Sequence, residues 1–285
     1  MKTAMKLIAL ILVFAMALCV FAGCAKSETD TTPTEAKKDD TPATTEAVQA
    51  DDSDSAYVLD KGTLVIGITD FAPMDYMEAG EWVGFDADMA NAFAAYLGVE
   101  AQFVEIVWET KTMELDNKNI DCVWNGMTLT DAVKTAMETS NAYCNNAQVV
   151  VVRSDVAAQY QDIDSIRDLK FVVEAGSAGA EQLDALNIPY IEADSQADAL
   201  MEVAAGTSEA CVIDLLMAGA MIGEGTSYAD LTYTVALNSE EYGVGFRKGS
   251  DLAAKLNEFF AAAYKDGSML AIAEKYGVQE SLIAQ

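Results

Sequence analysis

The chain has 285 residues, of which 52% are hydrophobic and 22% charged, so it contains enough apolar material for one or two domains with a substantial core. Lys and Arg number 17 against 46 Asp and Glu, a formal net charge of -29, and so acidic a chain is repelled by nucleic-acid phosphates and anionic lipid surfaces. The sequence contains no histidine, which excludes Ser-His-Asp and Cys-His catalytic pairs and the commonest transition-metal ligand.

Residues 1–23 have the pattern of a secretory signal peptide. Lys2 and Lys6 form a basic segment before an apolar stretch, residues 7–20, that is too short for a typical membrane-spanning helix. The segment that follows, residues 21–24, resembles a bacterial lipobox, although Phe21 stands where Leu is usual. This pattern predicts lipid attachment at Cys24. The alternative is an ordinary signal peptide followed by a chance cysteine.

Residues 24–56 are predicted to form a flexible acidic tether. They are mostly Thr, Asp, Glu, Lys and Ala with two prolines, and they include almost no large apolar side chain. Such a segment buries too little surface to offset the entropy lost on ordering. The folded body is therefore expected to begin near residue 57.

Strand-like and helix-like segments alternate along the body. Strands are predicted at residues 63–69, 101–106, 120–124, 148–153, 171–174, 210–213, 232–236 and 244–246. Helices are predicted at residues 86–97, 110–116, 130–137, 178–186, 197–204, 215–222, 252–265 and 269–276. Residues 148–153 are apolar on both faces, which is typical of an interior strand. Two such alternating series predict an α/β protein with two lobes.

The body contains three cysteines, Cys122, Cys144 and Cys211, at wide spacings. An odd number so far apart indicates neither a disulfide framework nor a metal site, and we expect buried thiols. No calcium-binding loop pattern is present in the sequence either. We therefore expect no metal and no cofactor.

Several segments carry a family resemblance through their order and spacing. They are Gly67–Asp75, Val83–Ala90, Asp121–Thr130, Ser140–Tyr143, Gly176–Gly179, Asp214 and Tyr242–Gly249. Over residues 57–280 the chain resembles the polar-amino-acid family of solute-binding proteins that serve ABC importers, which have the type II periplasmic-binding fold. The resemblance implies a discontinuous lobe 1 at residues 57–149 plus 241–285, and lobe 2 at residues 150–240. It also implies two crossovers and a ligand cleft that closes by hinge bending.

Three aromatic residues and one aspartate are candidates for the cleft wall. By resemblance, Phe71 is an aromatic lid that stacks on the ligand, and its place after a strand end favours that role over packing in a loop. Trp108 and Trp124 either line the pocket or fill the core of a lobe. Asp75 is a further candidate for binding an amine.

The resemblance assigns polar roles to further positions. Gly126 offers a main-chain carbonyl to the ligand's ammonium group, Thr128 offers a hydroxyl to its carboxylate, and Asp214 pairs with the ammonium group. Asp214 also precedes a predicted helix, so it is alternatively an N-cap, or both. Ser177 and Ala178 lie in a turn before a helix, where free backbone N–H groups favour a carboxylate.

One departure from the family concerns the ligand itself. The arginine that grips the ligand's α-carboxylate comes five residues after the Thr of Gly-x-Thr, and here that position is Val133. Lys134 is adjacent but is turned by about 100° on a helix. Either Thr128 and the Ser177 turn hold a carboxylate alone, or the ligand is an amine or quaternary ammonium held by carboxylates and aromatic faces.

Together these features predict a monomeric, lipid-anchored, extracytoplasmic receptor. It would capture a small polar solute, an amino acid or an amine, and deliver it to the permease and ATPase subunits of an ABC importer. One alternative is an enzyme similar to cyclohexadienyl dehydratase, with Glu109, Asp75 or Lys111 as general acid. Others are a receptor for a signalling partner and a protein that has lost binding. No nucleic-acid partner is expected.

Overall fold

The computed structural model describes residues 52–285. The predicted signal peptide, the lipid-attachment candidate Cys24 and the predicted tether up to residue 51 lie outside the described residues. Among residues 52–285, no helix combines the length and the apolar character needed to cross a bilayer.

The helices begin and end largely where their capping residues predict. They are α1 (Asp54–Lys61), α2 (Phe85–Leu97), α3 (Lys111–Asp116), α4 (Asp131–Ala136), α5 (Ile163–Ile166), α6 (Ala178–Leu186), α7 (Gln196–Ala205), α8 (Leu215–Met221), α9 (Leu252–Asp266) and α10 (Ser268–Tyr276). α2 ends at Gly98 in the left-handed conformation, and the Thr130 side chain caps α4 by accepting a hydrogen bond from the Val133 N–H.

The strands form two main sheets and one hairpin. They are β1 (Thr63–Ile68), β2 (Tyr76–Glu78), β3 (Glu81–Val83), β4 (Glu100–Glu105), β5 (Cys122–Thr128), β6 (Glu138–Thr139), β7 (Cys144–Asn146), β8 (Gln148–Arg153), β9 (Phe171–Glu174), β10 (Tyr190–Ala193), β11 (Ala210–Asp214), β12 (Leu231–Ala236) and β13 (Glu240–Phe246). β2 and β3 pair only with each other. The α/β class predicted from the alternating segments is confirmed.

The first sheet has the order β4-β1-β5-β13-β6, and β7 also pairs with β13. β1 runs parallel to β4 and β5, whereas β13 runs antiparallel to β5. Leu64, Ile66 and Ile68 alternate along β1 and are fully buried. This period of two places one face of the strand against the core.

The second sheet has the order β10-β9-β11-β8-β12. β9 is parallel to both of its neighbours, and β8 is antiparallel to β11 and β12. Residues 149–152 of β8 are all buried, as the doubly apolar pattern predicts for an interior strand.

The chain passes from one sheet to the other at two neighbouring points. The first crossover lies between β7 and β8, and the second lies between β12 and β13. The two crossovers hydrogen-bond to each other, because the Gln148 N–H donates to Asn238 Oδ1 at 2.7 Å and the Leu237 N–H donates to the Gln148 carbonyl at 2.8 Å. The first sheet is therefore built from two segments of the chain, one before and one after the segment that forms the second sheet.

The structure corrects the predicted end of the tether. α1 begins at Asp54, although the tether was expected to run through residue 56. Arg247 Nε donates to both carboxylate oxygens of Asp54 at 3.0 Å, and the Ser55 N–H donates to Asp251 Oδ1 at 2.9 Å. These partners lie almost 200 residues away, so local composition gives no sign of them.

Candidate functional site

A cavity of about 250 Å³ lies where strands of both sheets end. The first sheet contributes the residues after β1, the second half of β5 and one face of α4, and the second sheet contributes the ends of β9 and β11 and the start of α6. In mixed and parallel sheets this edge is where ligands bind. The structure therefore provides a pocket of small-molecule size at the expected place.

Seven of the nine predicted ligand-binding residues line this cavity. They are Phe71, Trp108, Gly126, Thr128, Ser177, Ala178 and Asp214. Three come from the second sheet and its helix, and four come from the first. The structure brings these residues together, and their binding of a ligand stays a prediction.

Asp75 does not line the cavity, which corrects the expectation that it faces the ligand. Its side chain is fully buried, and its Oδ2 accepts a hydrogen bond from Asn125 Nδ2 at 2.8 Å. Burial, together with the neighbouring Asp86 carboxylate, raises the pKa of Asp75 well above its ordinary value. Asn125 itself lines the cavity, so Asp75 supports the wall from behind.

Of the two places predicted for Trp124, the pocket wall and the core of a lobe, the structure shows the core. Its ring is fully buried and lies 5.6 Å from the ring of Phe260 and 6.2 Å from that of Phe93, measured between centroids. Adjacent residues of a strand point to opposite faces. Trp124 therefore belongs to the core beneath β5, whereas its neighbour Asn125 reaches the cavity.

Gly126 and Phe71 pack directly against each other. Gly126 has a φ of 55°, and a Cβ at this position would lie 2.3 Å from Phe71 Cε1. The Phe71 ring also meets the Tyr242 ring edge-on at 6.4 Å between centroids. The Gly126 N–H donates to Asp86 Oδ2 at 2.6 Å. The absence of a side chain at Gly126 thus allows Phe71 its place on the cavity wall.

Asp214 occupies the N-cap position of α8, but its side chain makes no capping hydrogen bond. Its carboxylate instead accepts hydrogen bonds from Tyr242 Oη at 2.7 Å, Gln148 Nε2 at 3.1 Å, Gln196 Nε2 at 2.5 Å and the Asn146 amide. Burial and the nearby Glu240 carboxylate raise the pKa of Asp214 to about 7. Of the two roles predicted for Asp214, the geometry leaves the cavity role.

Glu174 is a cavity residue that the sequence patterns did not single out. It ends β9 next to Asp214 on β11, lines the cavity and is only 4% exposed. Burial and the Asp214 carboxylate raise its pKa to about 8. Its position just before the Gly176 turn, at the same edge as Asp214, is the signal that could have identified it.

Two hydroxyl groups at the positions expected to hold a carboxylate each have a hydrogen-bond partner within the protein. The Thr128 hydroxyl donates to Glu240 Oε1 at 2.9 Å, and the Ser177 hydroxyl oxygen accepts from the Ala180 N–H at 3.2 Å as the N-cap of α6. Val133 forms part of an apolar stretch of the wall together with Ala132 and Ala136.

Lys111 is the single Lys or Arg side chain among the residues lining the cavity. Its Nζ donates to the carbonyls of Trp108 at 3.2 Å and Gly176 at 3.1 Å, and it lies 4.5 Å from the centre of the Trp108 ring. Burial lowers the pKa of Lys111. Since Trp108 and Gly176 belong to the two sides of the cavity, Lys111 links them.

Comparison with known proteins gives a consistent family match. The model of the bacterial extracellular solute-binding proteins, family 3, matches residues 64–279. The L-cystine-binding protein TcyJ of Escherichia coli K12 is 27% identical over 225 residues, which cover 77% of this chain and 84% of that protein.

Solved structures superpose over the same region. A mutant of ArgBP from T. maritima gives a TM-score of 0.73 at 28% identity, covering 78% of this chain and 98% of that one. The ancestral amino acid-binding protein AncCDT-1, a precursor of cyclohexadienyl dehydratase, gives a TM-score of 0.71 at 27% identity, covering 79% and 99%. These neighbours confirm the predicted two-lobed type II periplasmic-binding fold. The chain belongs to the bacterial extracellular solute-binding proteins of family 3.

Proposed function

We propose that this protein is an extracytoplasmic, lipid-anchored solute receptor that delivers a small polar solute to an ABC importer. The observation that carries the proposal is the cavity between the two sheets, which is lined by Phe71 from the first sheet and by Asp214 from the second. Relatives named for the binding of amino acids support an amino acid or an amine as the solute. Cys24 is the proposed site of the lipid, and the receptor acts as a monomer.

The two crossovers support closure as the mode of capture. We assign residues 57–149 plus 241–285 to lobe 1 and residues 150–240 to lobe 2. The strands of each sheet follow this division except at the crossovers, where β8 begins at Gln148 and β13 at Glu240. Crossovers that lie side by side form a natural hinge between two rigid sheets. In this proposal the closed form, with solute inside, is the one that the permease recognises.

Binding without chemistry is favoured over the enzyme alternative by the charge of the cavity. Its lining includes five carboxylates and one lysine, and small carboxylic acids are repelled by such a wall. The ancestral neighbour is itself described as an amino acid-binding protein.

Mass spectrometry of small molecules released from gently purified and then denatured protein tests the proposal. We expect one polar solute in near-stoichiometric amount from the wild type, and at least tenfold less from Asp214→Asn. A substrate converted to product on incubation would overturn it in favour of catalysis. Incorporation of labelled palmitate that is lost in Cys24→Ala tests the anchor separately.

A further inference from the structure

We propose that the cavity takes an organic cation that carries no carboxylate, namely an amine rather than an amino acid. This inference rests on the proposed function and specifies its ligand class. It is carried by three features of the cavity: the balance of charge on the wall, the engagement of the hydroxyls that a carboxylate would need, and the pairing of two carboxylates beside aromatic rings.

The wall is strongly acidic. Its five carboxyl groups belong to Asp70, Glu109, Glu174, Glu181 and Asp214, and the same lining includes a single ammonium group. Glu174 and Asp214 are partly protonated near neutral pH, because burial raises their pKa values to about 8 and 7. A positive ligand gains from this field, and a ligand carboxylate is repelled by it more strongly as water is excluded.

The Thr128 and Thr130 hydroxyls of the cavity wall are both engaged by glutamates. The Thr128 hydroxyl donates to Glu240, and the Thr130 hydroxyl lies 3.3 Å from Glu181 Oε1, its partner across the cavity. Val133 adds an apolar side chain to the same cavity lining. A carboxylate placed here would lie beside Glu181 without a charged donor, which is a costly arrangement for a desolvated charge.

The remaining cation does not compensate. Two of the three N–H donors of Lys111 are hydrogen-bonded to the carbonyls of Trp108 and Gly176. Glu174, Glu181 and Glu109 all act on Lys111 electrostatically, so its charge is already surrounded by anions.

The opposite requirement, a place for an ammonium group, is well met. Glu174 and Asp214 end neighbouring parallel strands, and Gln196 hydrogen-bonds to both. Phe71 and Trp108 also line the cavity, and aromatic rings attract organic cations. Burial is the main cause of the raised pKa values of the two carboxyl groups; Lys111 opposes it at Glu174 only in part, and a bound amine would lower both values.

Two matched ligand pairs test the inference by titration calorimetry at pH 7.5: cadaverine against L-lysine, and agmatine against L-arginine. Each amine is the amino acid without its carboxyl group. We expect at least one amine to bind at least about tenfold more tightly than its parent. Parents that bind as tightly as the amines, or more tightly, overturn the inference and leave the proposed function intact.

Two variants and one control test which cavity residues determine the preference for an amine. Glu174→Gln is expected to weaken amine binding at least about tenfold, and the control Glu192→Gln, on the exposed surface of β10, leaves it unchanged. Val133→Arg adds a guanidinium to the wall and is expected to shift the ratio of affinities at least tenfold towards the parent amino acids. An unchanged ratio in Val133→Arg, or equal loss in both Glu variants, contradicts the inference. Absence of binding by all four compounds also overturns it, and the mass spectrum of released solute then decides the proposed function.

Discussion

Asp214 and Glu240 accept hydrogen bonds from the same two amides. Gln148 Nε2 lies 3.1 Å from Asp214 Oδ1 and 2.8 Å from Glu240 Oε1, and the Asn146 amide also reaches both carboxylates, with 2.6 Å to Glu240. Asn146 and Gln148 flank the first crossover, and Glu240 follows the second. The network therefore joins one wall of the cavity to both connections between the sheets.

Replacing Asn146 by Asp is expected to lower the free energy of unfolding by about 3 kcal/mol. The change removes a shared donor and sets a third carboxylate between the buried Asp214 and the half-buried Glu240. Urea denaturation followed by circular dichroism measures the effect. Asn145→Asp is the matched control, because Asn145 is the exposed neighbour on the same strand, and its change should stay within about 0.5 kcal/mol. Equal curves for the two variants would show that the network does not stabilise the fold.

The ligand-free protein is expected to become less stable between about pH 5 and pH 8. The pKa values of Glu174, Asp214 and Asp86 are raised in the folded state to about 8, 7 and 7, mainly by burial. Between their ordinary values near 4 and these raised values, the folded state binds more protons than the unfolded state, so stability is lost as pH rises. Urea midpoints at pH 5, 6.5 and 8 measure this trend, and a midpoint that rises with pH would contradict it.

The Glu174→Gln variant isolates the contribution of Glu174 to the pH dependence of stability from those of the other buried carboxyl groups. We expect the variant to be more stable than the wild type by about 1 kcal/mol or more at pH 8, and nearly equal to it at pH 4, because the neutral amide has no charge to bury. The same denaturation series measures it. Lower stability at pH 8 would mean that an ionised Glu174 is well compensated in the empty cavity.

Gly126→Ala is expected to weaken solute binding at least about tenfold and to cost about 1–3 kcal/mol of stability. Its Cβ would clash with Phe71 Cε1 at 2.3 Å, and the φ of 55° disfavours any side chain. Gly219→Ala in α8 is the control, because a Cβ there meets nothing within 4 Å, and it should be neutral or stabilising. Calorimetry and thermal melts measure both. Unchanged binding in Gly126→Ala would remove Phe71 from the site.

Most of the fold follows from patterns that are local in the sequence. The predicted and observed bounds agree at β8, β9 and α6, where apolar runs and a capping Ser177 mark the ends. β5 extends to Thr128 beyond its predicted end, because Asn125 and Gly126 are poor strand formers that pairing with β13 holds in place. The edge strand β10 and the hairpin β2–β3 were not predicted, since their side chains are mostly exposed.

The candidate site was predictable where the family resemblance and strand ends agree, as at Phe71 and Asp214. The sequence could not decide between pocket and core for Trp124, because the face of a strand to which a ring points depends on register, which a run of buried residues conceals. Glu174 and Lys111 depend on the approach of segments about 60 residues apart, and only the folded chain brings those segments together.

Through the shared amides of Asn146 and Gln148, the cavity is directly connected to the two crossovers between the sheets. A ligand that changes the ionisation of Asp214 would change the strength of its hydrogen bonds to the Asn146 and Gln148 amides, which lie beside the first crossover. Under the proposed function, we therefore expect both the pH of the medium and a bound solute to act on the two crossovers through these amides.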